Sequence, residues 1–276
     1  MRRLLGNSFL EALSSPEQSP TPNPQTTESV VVLAHPNDEA IGVGSRLPRL
    51  RKARFIYVTD GAPKNLADAH RTGFITREEY ALARRNELYS ALALGGVSPC
   101  RILALGLVDQ EASFHLAALS ERLAELLADT EIVLTHPYEG GHPDHDATAF
   151  AVHAACALLV RRNLRLPTIL EMTSYHVREG RMATGEFLWR NGDDVRTVVL
   201  SEEEKAWKEQ LYGRYVTQRE TLRWFPIQVE RFRFAPRYDF AKPPHEGDLF
   251  YEQFDWSIRG EEWRRLAMKA SRTLGL

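Results

Sequence analysis

The sequence predicts an α/β protein with a Rossmann-like, three-layer domain and a mainly parallel sheet. Short apolar runs alternate along the chain with stretches of helical spacing. This order builds parallel sheets with right-handed crossovers. The first run, 29–34, is nearly all Val and Leu, as expected of a strand that is covered on both faces.

The other elements follow from the same patterns. Thr76 and Glu79 form a capping box that starts a helix through Leu94, and Ser201 and Glu204 form a second one. Helical spacing also predicts helices over 116–127 and 144–160, and a helix that begins near residue 40. Further strands are expected at 55–59, 102–105, 132–135, 168–175 and 197–200.

Composition excludes several classes of protein. Lys and Arg number 35 against 37 Asp and Glu, so net charge gives no reason to expect nucleic-acid or membrane binding. No apolar stretch approaches the roughly 20 residues of a membrane span. The basic start resembles a signal peptide, but Asn7 and Glu11 interrupt its apolar part. Two cysteines form no disulfide framework, so a reducing, cytoplasmic compartment is expected.

Two clusters of metal-capable side chains follow predicted strands. His35 and Asp38 come directly after the first strand, and His142, Asp144 and His145 follow the strand at 132–135. Ligand sites in open α/β sheets lie at the carboxyl ends of strands. The two strand ends can therefore bring three ligands to one metal. Two histidines and one carboxylate, with an open fourth position, are typical of hydrolytic zinc.

The same clusters carry a family resemblance. Residues 34–39 read Ala-His-Pro-Asn-Asp-Glu and residues 141–145 read Gly-His-Pro-Asp-His. The chain resembles the PIG-L/LmbE-like family of zinc-dependent N-acetyl-sugar deacetylases, which carries Ala-His-Pro-Asp-Asp-Glu and Gly-His-Pro-Asp-His. Partial matches at 84–95 and 215–218 extend the resemblance over roughly 29–220.

The sequence departs from the family pattern at Asn37, where the family has its first Asp. By resemblance that Asp is the general base that takes a proton from the attacking water. An amide cannot accept that proton. Three interpretations stay open: a weakened or inactive relative, another group acting as base, or an Asp→Asn change introduced into an active enzyme.

The resemblance implies a role for each residue of the two clusters. His35, Asp38 and His145 are expected to hold one Zn²⁺. His142 is then free to act on the substrate, as an imidazolium that stabilises the oxyanion and protonates the leaving amine. Asp144 is expected to orient His142 and to raise its pKa. His136 is interpreted as structural.

Candidate substrate-binding residues are Arg84, Asp109 and Gln218, each with a structural role as its alternative. The helix carries Arg84, Asp109 ends a predicted strand at the active edge, and Gln218 resembles a family position near the pocket. The expected substrate is an N-acylated amino sugar, with a lipid- or glycan-linked form as an open possibility. Without any Gly-x-Gly-x-x-Gly after the first strand, a nucleotide-binding Rossmann domain is disfavoured.

Three segments are predicted from composition and resemblance. Residues 1–28 form an N-terminal segment with a short helix and a flexible linker at 14–27, which is rich in Ser, Pro, Thr and Gln. Residues 29–220 form the deacetylase-like domain. Residues 221–276 are an aromatic-rich extension packed on that domain, with stacking against a sugar or lipid-linked substrate as the alternative.

A silent homologue that binds metal and sugar is the second functional hypothesis.

Overall fold

The structure is a computed structural model that describes residues 2–15, 28–190, 192–256 and 258–276. The predicted flexible linker falls mostly on residues outside these ranges. Among the described helices, none has the length and apolar character needed to cross a lipid bilayer.

A central seven-stranded sheet confirms the predicted α/β fold. Its strands are β1 (Ser29–Leu33), β2 (Arg54–Pro63), β3 (Ile102–Asp109), β4 (Ile132–Thr135), β5 (Thr168–Met172), β8 (Arg196–Val199) and β9 (Val229–Phe234). They lie in the order β3-β2-β1-β4-β5-β9-β8. The first five pair in parallel, and β9 runs antiparallel to both β5 and β8. A separate hairpin joins β6 (Tyr175–Arg178) to β7 (Arg181–Thr184).

The helices cover both faces of this sheet. They are α1 (Arg2–Ser14), α2 (Asp38–Val43), α3 (Ala67–Arg71), α4 (Arg77–Leu94), α5 (Leu116–Leu126), α6 (Pro143–Arg161), α7 (Glu202–Tyr212), α8 (Arg219–Leu222) and α9 (Gly260–Leu274). Both predicted capping boxes, at the starts of α4 and α7, are confirmed.

Strand β1 lies between two apolar cores, which explains its unbroken Val and Leu run. Val31 and Leu33 pack with residues of α1, α2, α4 and α7 on one face. Val30 and Val32 pack with α5, α6 and α9 on the other face. Because side chains alternate across a strand, a strand with two buried faces must be apolar at every position.

The C-terminal residues do more than pack on the outside. Strand β9 adds to the central sheet, and Trp263 of α9 is fully buried, with its indole N–H donating to the Pro143 carbonyl at 3.1 Å. The sheet therefore continues beyond the predicted domain boundary at residue 220. The apolar pattern did not reveal β9 because buried charges, Glu230 and Arg233, alternate with its apolar residues.

A buried ion pair joins α7 and β9 to the end of α2. Lys208 Nζ donates to Glu230 Oε1 and to the Ile41 carbonyl, both at 2.9 Å, and neither charged side chain is exposed. The same carboxylate accepts hydrogen bonds from the Ser45 N–H at 2.8 Å and from its hydroxyl at 2.7 Å. This network fixes the elements that follow the first motif.

Removing Lys208 should therefore destabilise the fold strongly. Lys208→Ala leaves the Glu230 carboxylate buried without its cation, which costs about 3–5 kcal/mol in comparable cases. Lys205→Ala is the matched control, since Lys205 pairs with the exposed Glu202 on the same helix and should cost less than about 1 kcal/mol. Urea unfolding of both variants measures the difference, and equal free energies of unfolding would contradict this account.

Candidate active site

The two sequence clusters meet at the carboxyl edge of the parallel strands. His35 follows β1, Asp109 ends β3, and His142 lies directly before α6, which begins at Pro143. The second cluster lies in the loop after β4 and in the first turn of α6. Because β4 is a neighbour of β1 in the sheet, this cluster lies beside the end of β1. Parallel pairing thus brings together side chains that are far apart in the sequence.

The ring nitrogens of His35 and His145 and the two carboxylate oxygens of Asp38 converge. His35 Nδ1 lies 3.1 Å from His145 Nε2 and 3.5 Å from Asp38 Oδ2. His145 Nε2 lies 3.3 Å from Asp38 Oδ1. Donors bound to one cation at about 2.0–2.1 Å lie roughly 3.3 Å apart in a tetrahedron. The three residues, all buried, therefore fit a divalent metal ion.

The turn between β1 and α2 sets this geometry. The His35 N–H donates to Asp38 Oδ2 at 2.7 Å, which holds the carboxylate beside the histidine. Asn37 has a φ of 116°, a backbone conformation that Asn and Asp tolerate better than most residues. Within the described part of the chain, no hydrogen bond holds the Asn37 side-chain amide, which faces the cavity described below.

Arg84 holds this turn against the C-terminal part of β2. Its two terminal nitrogens donate to the Pro36 carbonyl at 2.6 Å and to the Gly61 carbonyl at 2.5 Å. The side chain is almost fully buried. These contacts link two backbone segments, which is a structural role of the kind given above as the alternative for Arg84.

The second nitrogen of His35 faces two further carboxylates. His35 Nε2 lies 3.2 Å from Asp109 Oδ1 and 3.3 Å from Asp144 Oδ2. Carboxylates in this position fix the orientation and tautomer of a metal-binding imidazole. The sequence analysis predicted substrate binding for Asp109 and a partnership with His142 for Asp144, whereas both carboxylates contact His35.

The expected contact between the Asp144 carboxylate and His142 is wrong. The Asp144 oxygens accept hydrogen bonds from the N–H groups of Gln110 at 2.6 Å and Ala112 at 3.0 Å. His142 Nδ1 lies 4.0 Å from Asp144 Oδ2 and instead accepts the Asp144 backbone N–H at 3.1 Å. A neutral His142 therefore carries its proton on Nε2, which lies 3.6 Å from Asp109 Oδ1.

The expected rise in the pKa of His142 is wrong as well. Burial and the neighbouring His35 lower the pKa of His142 well below its ordinary value, because Asp109 compensates only in part. Burial also raises the pKa of Asp144 to about 6, although His35 and the Gln110 N–H oppose this rise. The Asp144 carboxylate serves the backbone and His35, so Asp109, 3.6 Å from His142 Nε2, is the carboxylate that opposes this lowering.

The protonation states of the metal-capable cluster differ from one member to the next. Burial and His136 lower the pKa of His145 to about 3. Burial opposes ionisation of Asp38, but His145 and His136 lower its pKa well below the usual range. Burial likewise opposes protonation of His35, yet Asp109 and the other carboxylates hold its pKa well above normal. A cation must therefore displace a proton from His35.

His136, interpreted above as structural, accepts the Ala34 N–H at 3.1 Å and lies beside the metal-capable cluster. Its Nε2 lies 3.1 Å from Asp38 Oδ2, and its ring stacks on that of His145 with centroids 4.1 Å apart. It ends β4 in the same way as His35 ends β1, and this position is the signal that could have revealed it. His176, in the hairpin strand β6, faces Glu139 at 3.6 Å.

Glu139 and Arg233 hold the loop that carries His142. Glu139 Oε1 accepts hydrogen bonds from the Leu188 N–H at 2.8 Å and from Arg233 at 3.1 Å. A Cβ on Gly141 would lie 2.0 Å from the Tyr175 carbonyl oxygen, so only glycine permits this loop to approach the hairpin. Neither constraint is visible in an apolar pattern.

A cavity of about 170 Å³ opens above these groups. Its wall includes eight of the nine site residues expected from the sequence: His35, Asn37, Asp38, Arg84, Asp109, His142, His145 and Gln218. The ninth, Asp144, lies below the wall and is fully buried. Gln218 Nε2 donates to the Tyr80 hydroxyl at 2.7 Å. The remaining lining residues are Ile41, Asp68, Gln110, Tyr175, Thr221, Phe225 and Trp256.

Fold and site together define an α/β protein with a potential metal centre of two histidines and one aspartate at the carboxyl edge of its sheet. Residues 30–156 match the family model "PIG-L: GlcNAc-PI de-N-acetylase". This match, over somewhat less than half of the chain, confirms the resemblance that the two motifs indicate.

Comparison with curated proteins identifies a relative in Bacillus subtilis (strain 168), the probable N-acetyl-alpha-D-glucosaminyl L-malate deacetylase 2. The two chains are 33% identical over 133 residues, which cover 45% of this chain and 58% of the relative. The match thus spans little more than half the length of that protein.

Solved structures share the fold at low sequence identity. The A40926 pseudoaglycone deacetylase Dbv21 has a TM-score of 0.56 at 21% identity, covering 77% of this chain and 98% of its own. N,N'-diacetylchitobiose deacetylase from Pyrococcus horikoshii has a TM-score of 0.52 at 18% identity, covering 85% of this chain and 92% of its own. These likenesses establish the fold.

Proposed function

We propose that this protein is a zinc-dependent hydrolase that removes an N-acetyl or similar acyl group from an amino sugar. The observation that carries the proposal is the convergence of His35, Asp38 and His145, with donor atoms 3.1–3.5 Å apart, in the wall of a cavity. The match of the surrounding segment to a de-N-acetylase family supports the reaction class.

One zinc ion is the proposed cofactor, held by His35, Asp38 and His145. Nitrogen and carboxylate donors in this number suit zinc in hydrolytic sites. When bound, zinc supplies Lewis acidity, which polarises the amide carbonyl and makes a nucleophile available near neutral pH. Asp109 and Asp144 would fix His35 in the orientation that this site requires.

His142 is proposed to act on the amide oxygen of the substrate. Because its Nδ1 accepts the Asp144 N–H, the neutral ring presents an Nε2–H donor. A fixed donor of this kind stabilises the negative charge that develops as the carbonyl becomes tetrahedral. The lowered pKa of His142 favours this neutral donor over the imidazolium expected from the sequence.

Asn37 stands where a general base is needed. Hydrolysis requires a group that takes a proton from the attacking water and lets it reach the leaving nitrogen. The Asn37 amide has the shape of a carboxylate but cannot take that proton. We therefore propose weakened catalysis in the chain as given, with metal and sugar binding intact; a silent homologue is the alternative.

Substrate binding is assigned to the walls around the metal-capable cluster. Asp109 and Gln218 present polar groups at the cavity, where they can hydrogen-bond sugar hydroxyls. Arg84 is proposed to contribute by holding the turn at Pro36 against β2 at Gly61. Two free cysteines, one of them exposed, support the proposal of a cytoplasmic location.

Substitution of a ligand should abolish metal binding. His145→Ala leaves two protein ligands, which hold zinc poorly, so zinc content after dialysis should fall from about one per chain to near zero. His115→Ala, outside the cluster, is the control and should retain the metal. Equal zinc in all three proteins would refute the assignment.

His142 should affect rate without affecting the metal. His142→Ala, made in the Asn37→Asp background to give measurable turnover, should keep its zinc and lose on the order of 10²–10⁴ in kcat. Metal analysis and steady-state acetate release on the same samples measure both quantities. Loss of zinc together with activity would make His142 a metal ligand instead.

Restoring the carboxylate should restore the chemical step. Asn37→Asp should raise the rate of acetate release by on the order of 10²–10⁴, the usual contribution of a positioned general base. Both residues tolerate the positive φ at this position, so zinc content and substrate affinity should change little and the effect should appear in kcat.

The outcomes of this test separate the two functional hypotheses. If the chain as given is already as fast as Asn37→Asp, the base lies elsewhere, and Glu39→Gln is the next variant. If neither form releases acetate from any N-acetyl sugar while both bind zinc, the protein is a silent homologue.

A further inference from the structure

An arc of aromatic rings runs beside the cavity from His145 to His142. Starting at His145, the arc runs through Tyr175, Phe250, Phe254 and Trp256 to His142. Successive ring centroids lie 5.3, 5.6, 5.2, 4.9 and 4.7 Å apart. The hairpin supplies the first ring and the C-terminal segment supplies the other three, so two elements outside the parallel strands build one continuous apolar wall.

The arc is open to a ligand at its outer end. Trp256 lines the cavity and is only partly buried, and Phe254, which stacks on it at an interplanar angle of 18°, is 40% exposed. Within the described residues, no protein group bonds to the Trp256 indole N–H or to the Tyr175 hydroxyl. The wall therefore offers ring faces together with two free polar groups, a combination that suits neutral rings carrying hydroxyl groups.

The charges around the cavity disfavour an anionic group at this wall. Among the described lining residues, Arg84 is the sole Arg or Lys, and its terminal nitrogens already donate to two carbonyls. The carboxylates of Asp68 and Asp109 belong to the same lining. A phosphate or carboxylate attached to the sugar would thus meet carboxylates, with no free Arg or Lys among the described lining residues to pair with it.

We propose that the group attached to the acylated sugar is a neutral ring, either a second sugar or an aryl group, which stacks on Trp256. This inference rests on the proposed function, since it assumes that the acylated sugar occupies the cavity beside His142 and His145. The arc begins at those two histidines, so a ring joined to that sugar lies within reach of Trp256. Trp256 is then a specificity-determining residue that contacts the substrate.

The test compares four ligands on the zinc-loaded chain as given, by calorimetry. These are N-acetylglucosamine, N,N'-diacetylchitobiose, 4-nitrophenyl N-acetyl-β-glucosaminide and N-acetylglucosamine 1-phosphate. The two neutral-ring ligands should bind about three- to tenfold more tightly than N-acetylglucosamine, the range that one stacked ring contributes. The phosphate should bind no more tightly than the free sugar. Preference between the two neutral ligands distinguishes a sugar ring from an aryl ring.

A pair of tryptophan variants locates the effect. Trp256→Ala should remove the advantage of the neutral-ring ligands while leaving the affinity for N-acetylglucosamine unchanged, and Trp256→Phe should restore part of it. Trp224→Ala is the matched control, because Trp224 is 60% exposed and lines a neighbouring groove.

Two different failures are distinguishable. Tighter binding of the 1-phosphate, or an equal loss for all four ligands in Trp256→Ala, would overturn the inference about the attached ring while leaving the deacetylase proposal in place. The absence of N-acetylglucosamine binding together with the absence of acetate release by Asn37→Asp would overturn the proposed function and this inference with it.

Discussion

The placement of His35 is the constraint on which the site depends. Its imidazole is contacted at both nitrogens: Nδ1 faces His145 and Asp38, and Nε2 faces Asp109 and Asp144. One buried ring thereby joins the end of β1, the end of β3 and the first turn of α6. Any shift in the register of β1 against its neighbours would move all of these contacts. The geometry of the site therefore depends on the parallel pairing of the sheet.

This arrangement places several ionisable groups where water is largely excluded. Burying a carboxylate or an imidazolium is costly unless an opposite charge or hydrogen-bond donors compensate. The protein compensates Asp144 with two backbone N–H groups and Asp38 with the His35 N–H and two histidines. Away from the site, the buried charge of Arg233 is likewise compensated by the carboxylates of Glu171, Glu139 and Asp193. Buried charge thus organises both the site and the sheet edge beside it.

Much of this molecule was predictable, for identifiable reasons. The strands β1 and β4 are apolar throughout because both of their faces are buried, and the parallel order then brings His35 and His145 to one edge. What sequence patterns missed depends on tertiary contact. Strand β9 contains charges that are satisfied only across the sheet, as with Arg233 and Glu171. The predicted pairing of Asp144 with His142 fails because the Asp144 carboxylate lies in the first turn of α6. There it accepts hydrogen bonds from backbone N–H groups of the loop after β3, a contact that no local sequence pattern shows.

The C-terminal segment concerns how the protein would bind a ligand, whereas Asn37 concerns how the protein would convert it. The aromatic arc beside His142 and the converging side chains of His35, Asp38 and His145 are both arrangements suited to holding a ligand. The departure at Asn37, in contrast, changes one proton-accepting group into an amide of the same shape and leaves the backbone conformation accessible. Geometry for holding a ligand and chemistry for transforming it are therefore separable here. The first is distributed over β1, β3, α6 and the aromatic arc, whereas in the proposed mechanism the second depends on the proton-accepting group at position 37.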